Sequence, residues 1–175
     1  KEDISNFYAL YQIIKKKNID MVIVGPEQPL VDGLVDYLNE KKIRVFGPDK
    51  FSSQLEGSKA FMKNLCKKNN IPTANFGVFN DKKKSLEFLD NCKYPIVVKA
   101  DGLAAGKGVY ICETKKQSEQ AVEEIFNGKF GKANQVLVEE FLNGEEMSFF
   151  IVSDGKNFKK FGTAQDHKRV GENDK

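Results

Sequence analysis

Apolar positions along the chain switch between two spacings, and the switches lay out its elements. Ile4, Phe7, Tyr8, Tyr11 and Ile14 recur at helical spacing and predict a helix over residues 4–17. The run Ile19 to Val24 reads as a buried strand, closed by Gly25-Pro26. Leu30, Leu34, Val35 and Leu38 share one face of a second helix over 30–39, and Arg44-Val45-Phe46 forms a short strand ending at Gly47-Pro48. Helix, strand, helix, strand with short Gly-Pro exits predicts a right-handed parallel α/β unit. Ligands of such sheets collect beyond the carboxyl ends of the strands, where Gly25-Pro26-Glu27 and Gly47-Pro48-Asp49 lie.

The second half has a different order. Ser58 is placed to cap a helix whose apolar face is Phe61, Met62 and Leu65, and Pro72 breaks the chain after it. Asp81 to Cys92 predicts a helix with Leu86, Phe88 and Leu89 inward. Thr114 with Gln117 is a capping-box start for a helix that buries Ala121, Val122, Ile125 and Phe126. Val136-Leu137-Val138 and Ser148 to Val152 read as strands joined across Asn143-Gly144. Residues 76–152 are thus expected to form an α+β layer with an antiparallel sheet, uninterrupted by repeats or low-complexity tracts.

Chemistry enters with the stretch Tyr94 to Cys112, YPIVVKADGLAAGKGVYIC. Two β-branched runs flank Gly102, Gly106 and Gly108, with Lys99 before the loop and Lys107 inside it. Glycines let successive N–H groups converge on an anion, and a lysine adds a charge that meets phosphate. The glycine spacing and the strand after the loop exclude a Walker A loop, which opens a helix. A phosphate-covering hairpin flap and an unliganded Gly-rich hairpin both fit the residues.

Composition narrows the class. With 40% hydrophobic and 30% charged residues the chain has the make-up of a soluble globular protein. The net charge is +3, and the runs Lys15-Lys16-Lys17, Lys67-Lys68 and Lys82-Lys83-Lys84 read as solvated helix faces or ends rather than a nucleic-acid stripe. Cys66, Cys92 and Cys112 have no metal-ligand spacing and suit a reducing, cytoplasmic setting. No apolar run approaches the roughly 18 residues that span a bilayer. Nucleic-acid and membrane partners are therefore not expected.

Three further positions carry candidate roles. Lys99 ends a strand facing the glycine loop, where a plain solvated lysine would also sit. Lys59 falls in the first turn of a helix, where the macrodipole disfavours a cation by about 0.3–1 kcal/mol. That placement makes sense if an anion shares the N-terminus, the alternative being a flexible surface lysine. The acidic stretch Glu139 to Glu146 ends one strand and begins another. An edge backbone over Glu139 to Leu142 would offer an N–H and a C=O to an adenine, and Glu146 would accept from ribose hydroxyls. A solvated acidic hairpin is the plainer reading.

Taken in order, LEGSKAFMK, VVKADGLAAGKGV, EEFLNGEE and AQDHKRVG resemble the ATP-grasp enzymes and, more closely, the phosphoribosylamine–glycine ligases (glycinamide ribonucleotide synthetases) of purine biosynthesis. VGPEQPLVDGLVD and RVFGP resemble that family's N-terminal domain, so the resemblance spans nearly the whole chain. It implies a partial parallel α/β domain over residues 1–54 and an ATP-grasp domain over 55–175 with a small lobe near 74–146. It also implies a ligase that uses ATP with Mg2+ or Mn2+ to join glycine to 5-phosphoribosylamine through glycyl phosphate. Lys59, Lys99, Gly102, Gly106, Lys107 and Gly108 would then serve the phosphates. Glu139, Phe141 and Leu142 would line the adenine, and Glu146 would hold the ribose.

Asp166, His167, Lys168 and Arg169 match the segment near the amino-acid and ribose-phosphate substrates, with His167 orienting rather than transferring protons. The family's opening glycine-rich stretch and its continuation after the His-Lys-Arg segment are expected to lie outside this chain. The magnesium ligands are expected beyond Lys175, so the chain is read as truncated at both ends and catalytically incomplete. Another ATP-grasp ligase, or an ATP-binding fragment inactive by itself, are the alternatives.

Overall fold

The structure, a computed structural model, describes residues 3–103, 107–131, 135–165, 167 and 171. The chain divides into two compact units, Lys1–Phe141 and Leu142–Lys175.

The first unit opens with α1 (Phe7–Lys16), β1 (Val22–Ile23), α2 (Glu27–Asp32), α3 (Leu34–Glu40) and β2 (Val45–Phe46). β1 and β2 pair in parallel, as the alternation predicts. Ile14, Leu34 and Leu38 form a small core beneath them, joined by Val22, Val24 and Val45. Two expectations change here. The helix over 30–39 is two helices, because Gly33 at φ +98° takes a left-handed turn between them and its N–H bonds the carbonyls of Pro29 and Leu30. The strand at 19–24 shortens to two residues and is not buried. Ile23 is 71% exposed, because α1 and α3 cover only the face that Val22 and Val24 point into.

Next come α4 (Gln54–Gly57), α5 (Lys59–Lys68), β3 (Phe76–Phe79), α6 (Lys82–Leu89), β4 (Ile96–Ala100), β5 (Val109–Cys112), α7 (Lys115–Phe126) and β6 (Val136–Glu140). β3, β4, β5 and β6 form an antiparallel sheet in the order β3-β6-β4-β5. Strand alternation sends Ile96, Val98, Ala100, Val136 and Val138 into one core with Leu89 of α6 and Ala121, Val122 and Ile125 of α7. The predicted caps form at the expected residues. Ser58 accepts from the Phe61 N–H, and Thr114 and Gln117 close a capping box.

Three readings from periodicity need correction. α5 buries Ala60 and Lys63, not Leu65, which is 36% exposed. Phe88 on α6 is 39% exposed and lies against Phe79 with ring centroids 5.0 Å apart, while Leu89 carries the burial. β6 does not form a hairpin with the next strand. Both its edges are taken, by β3 and β4, so β7 (Met147–Ser153) pairs instead with β8 (Phe158–Gln165) in the second unit.

Candidate functional site

The site is built where α5, the end of β4 and the end of β6 meet within the first unit. Lys99 and Glu139 lie on the sheet face opposite the α6–α7 core, because each is one residue out of step with the apolar positions of its strand. Val97 stands opposite Glu139 and Lys99 opposite Leu137, so Lys99 and Glu139 are diagonal neighbours. The Lys99 ammonium donates to Glu139 Oε1 at 2.7 Å. Glu139 Oε2 accepts from the ammonium of Lys63 at 3.0 Å.

Lys63 is a residue that sequence reasoning missed. It is 1% exposed, and it also donates to Thr73 Oγ1 at 2.7 Å and to the Ala74 carbonyl at 2.8 Å. No local signal marked it. Lys63 lies one helical turn from Lys59, in a lysine-rich stretch that reads as a solvated face, and its burial beside Ala60 is set by what packs on α5.

The N-terminus of α5 resolves the oddity of Lys59. An anion does share that terminus, and the chain supplies it. Asp101, just past β4, accepts from the Ala60 N–H at 3.1 Å and from Ser58 Oγ at 3.0 Å. The carboxylate thus satisfies orphan donors of the first turn and opposes the helix dipole. Gly102 comes next at φ +92°, a left-handed conformation that costs a glycine little. That turn aims its carbonyl at Lys59, whose ammonium donates to it at 2.8 Å. Burial pushes the Lys59 ammonium below its ordinary pKa; Asp101 opposes the shift and Lys99 adds to it.

The structure therefore brings Lys59, Lys99, Gly102 and Glu139 together, with Ser58, Lys63 and Asp101 added. Gly108 is buried, and its carbonyl accepts from the Ala100 N–H at 2.8 Å, which starts the return strand β5. Lys107 is exposed. Glu139 and Glu140 do not present a free edge, since β6 is paired on both sides and the Glu140 N–H donates to Asn75 at 3.0 Å. Backbone free of the ladder begins at Phe141, which is 37% exposed.

Leu142, Glu146 and His167 belong to the second unit, where all three are exposed. Gly106, Asp166, Lys168 and Arg169 lie outside the described residues. Among the described residues no group of three His, Cys, Asp or Glu side chains is placed to hold a metal ion, and no helix is long and apolar enough to cross a membrane.

Chemically, the cluster gathers lysine cations at the mouth of a glycine-rich loop, with Asp101 and Ser58 taking the helix-terminal N–H groups. Such a gathering of cations suits an anion. Comparison with known proteins places that architecture among the ATP-grasp folds. A crystal structure of phosphoribosylamine–glycine ligase from Thermotoga maritima superposes with a TM-score of 0.75 at 35% identity, covering 89% of this chain and 38% of that one. Residues 57–175 match the ATP-grasp (A) domain of phosphoribosylglycinamide synthetase, and residues 1–56 match its N domain.

The chain belongs to the phosphoribosylglycinamide synthetase family. It is 51% identical to phosphoribosylamine–glycine ligase of Mesorhizobium japonicum over 175 residues, covering 99% of this chain and 41% of that protein. With the enzyme of the same name from Brucella melitensis it shares 53% identity over 167 residues, covering 95% of this chain and 39% of the other. The chain thus spans about two-fifths of the length of these relatives.

Proposed function

We propose that this chain contributes the nucleotide-binding part of an ATP-dependent ligase joining glycine to 5-phosphoribosylamine, giving glycinamide ribonucleotide, ADP and phosphate. The observation that carries the reading is the gathering of Lys59 and Lys99 beside Gly102, at the entry to the glycine-rich loop. Two ammonium groups held together at such a loop suit a polyphosphate.

In this reading Lys59, Lys99, Lys107 and the loop glycines Gly102, Gly106 and Gly108 serve the phosphates of ATP. Glu139, Phe141 and Leu142 line the adenine, and Glu146 holds the ribose. Asp166, His167, Lys168 and Arg169 orient glycine and the amine. A glycine carboxylate oxygen attacks the γ-phosphorus, and the bond to the β-phosphate oxygen breaks, releasing ADP. The amine nitrogen then attacks the acyl carbon of glycyl phosphate, the bond to phosphate breaks, and the nitrogen loses a proton. Charge builds on phosphoryl oxygens in both steps, which is where lysine ammoniums and backbone N–H groups act. Magnesium or manganese accompanies the ATP.

We assign residues 1–54 to the N-terminal domain and 55–175 to the ATP-grasp domain with its small lobe near 74–146. The free thiols of Cys66, Cys92 and Cys112 favour a cytoplasmic setting.

The test is ADP release by a full-length ligase that contains this chain, which is expected to require glycine and phosphoribosylamine together. Equal turnover with another amino acid would remove glycine from the assignment. Lys99→Ala and Glu146→Ala are each expected to weaken ATP binding; unchanged affinity in both would remove the nucleotide assignment. ATP at 100 times its dissociation constant is expected to stabilise the fold by about 2.7 kcal/mol in a thermal shift.

A further inference from the structure

Lys63 has no role in the chemistry just proposed, yet it is among the most buried side chains of the chain. An ammonium has three donors, and all three are used, on Thr73, Ala74 and Glu139. Its charge also lies 5.0 Å from the centroid of the Phe76 ring. A buried ion pair is weak evidence for a purely stabilising role, since well-packed apolar residues of similar volume commonly do as well.

The charge count around Glu139 suggests what Lys63 does instead. Its carboxylate, 8% exposed, stands between two cations and gives one oxygen to each. Lys63 is sealed from solvent, whereas the Lys99 side chain remains 27% exposed. With Lys63 present the trio carries a net charge of +1, located on the one member that solvent or a ligand can reach. Without Lys63, Glu139 and Lys99 would form a neutral pair.

We infer that Lys63 is a positioning residue for the nucleotide. It shares the Glu139 carboxylate with Lys99, so that the trio keeps a net positive charge, presented by an oriented Lys99 to a phosphate oxygen. The inference rests on the ligase reading for the identity of that anion, the polyphosphate of ATP.

ATP affinity measured by isothermal titration tests it, on the native chain, K63M, E139Q and K63M/E139Q, each well below its melting temperature. K63M is expected to weaken ATP binding about tenfold, the scale on which charge pairs couple at close range. In the E139Q background the same K63M change is expected to cost less than about threefold, because no carboxylate is then left to cancel Lys99. If Lys63 only supported the fold, K63M would weaken binding equally in both backgrounds. Unchanged affinity in K63M, or an equal loss in both backgrounds, overturns the inference.

Should K63M fail to fold, E139Q and K63M/E139Q carry the test, since the double variant replaces a buried charge pair with neutral groups. Affinities within about threefold of each other support the inference, and a tenfold gap between them overturns it. If the native chain itself does not bind ATP, the ligase reading falls together with the inference. If the native chain binds and K63M costs as much without the Glu139 carboxylate as with it, the Lys63 role falls alone.

Discussion

The two faces of the β3-β6-β4-β5 sheet are built from the same strands under opposite rules. On one face Ile96, Val98, Ala100, Val136 and Val138 pack against α6 and α7 and exclude water. Residues one step along the same strands, Lys99 and Glu139, bring charge to the other face, where Lys63 of α5 meets them. The first face gains stability from area removed from water, which tolerates substitution in proportion to volume lost. The second depends on complete pairing, and it fails abruptly when one member is removed. A period of two lets a single strand serve a core and a site together.

That contrast is breakable, and the largest effect is expected on the charged face. Glu139→Ala leaves the Lys63 ammonium buried without its carboxylate, and about 3–5 kcal/mol of unfolding free energy should be lost in urea titration. On the apolar face Ile96→Ala is expected to cost about 2–5 kcal/mol by cavity formation, with ATP affinity left unchanged. An equal loss of nucleotide binding in both variants would show that the faces are not separable.

Asp101→Ala removes the acceptor for the Ala60 N–H and Ser58 Oγ, a capping contact worth about 1 kcal/mol. It should also let burial carry the Lys59 ammonium further down, because Asp101 is the main group opposing that shift. A side-chain NMR titration of Lys59 reads this directly, and an unmoved or raised value would contradict the geometry.

The smallest effect is at the rim of the helix-covered face. Glu124 on α7 is held down to about 2 by Lys129, then by Tyr110 and Gln120. Its value in the fold lies below the 4.5 of a free glutamate, so its contribution is present above about pH 4.5 and fades as pH falls toward 2. Glu124→Gln should flatten that acid limb of the stability curve without changing stability's dependence on pH above 6. A steeper limb in the variant would reverse the assignment. The Glu124–Lys129 pair is solvent-facing, with side chains 27% and 52% exposed, and solvent screens it far more than the buried trio around Glu139.

Much of this architecture was legible from local signals. Ser58, Thr114 and Gln117 cap helices where their spacing says they should, because a cap is settled within four residues. The parallel α/β start and the strand that carries Lys99 up to the glycine loop were equally readable. The anion implied by Lys59 was legible as a need, and its source was not. Asp101 is more than forty residues away along the chain, and nothing in its neighbours marks it as a cap for α5. Lys63 sits in KNLCKK, a stretch that reads as a solvated face until Glu139 arrives from the far end of the unit.

Strand pairing shows the same divide. Period and turn residues locate β6 and β7, but which edge each one meets is a contest among distant partners. β3 and β4 occupy both sides of β6, and so β7 finds β8. The amino-acid order alone therefore determined where the capped helices begin, which motif family the chain carries, and that cations gather near a glycine loop. The tertiary structure decided which charges neutralise one another and which one remains exposed. Local order comes from steric and hydrogen-bonding preferences within a turn or two. Compensation of buried charge depends on groups brought together only when the sheet closes against α5.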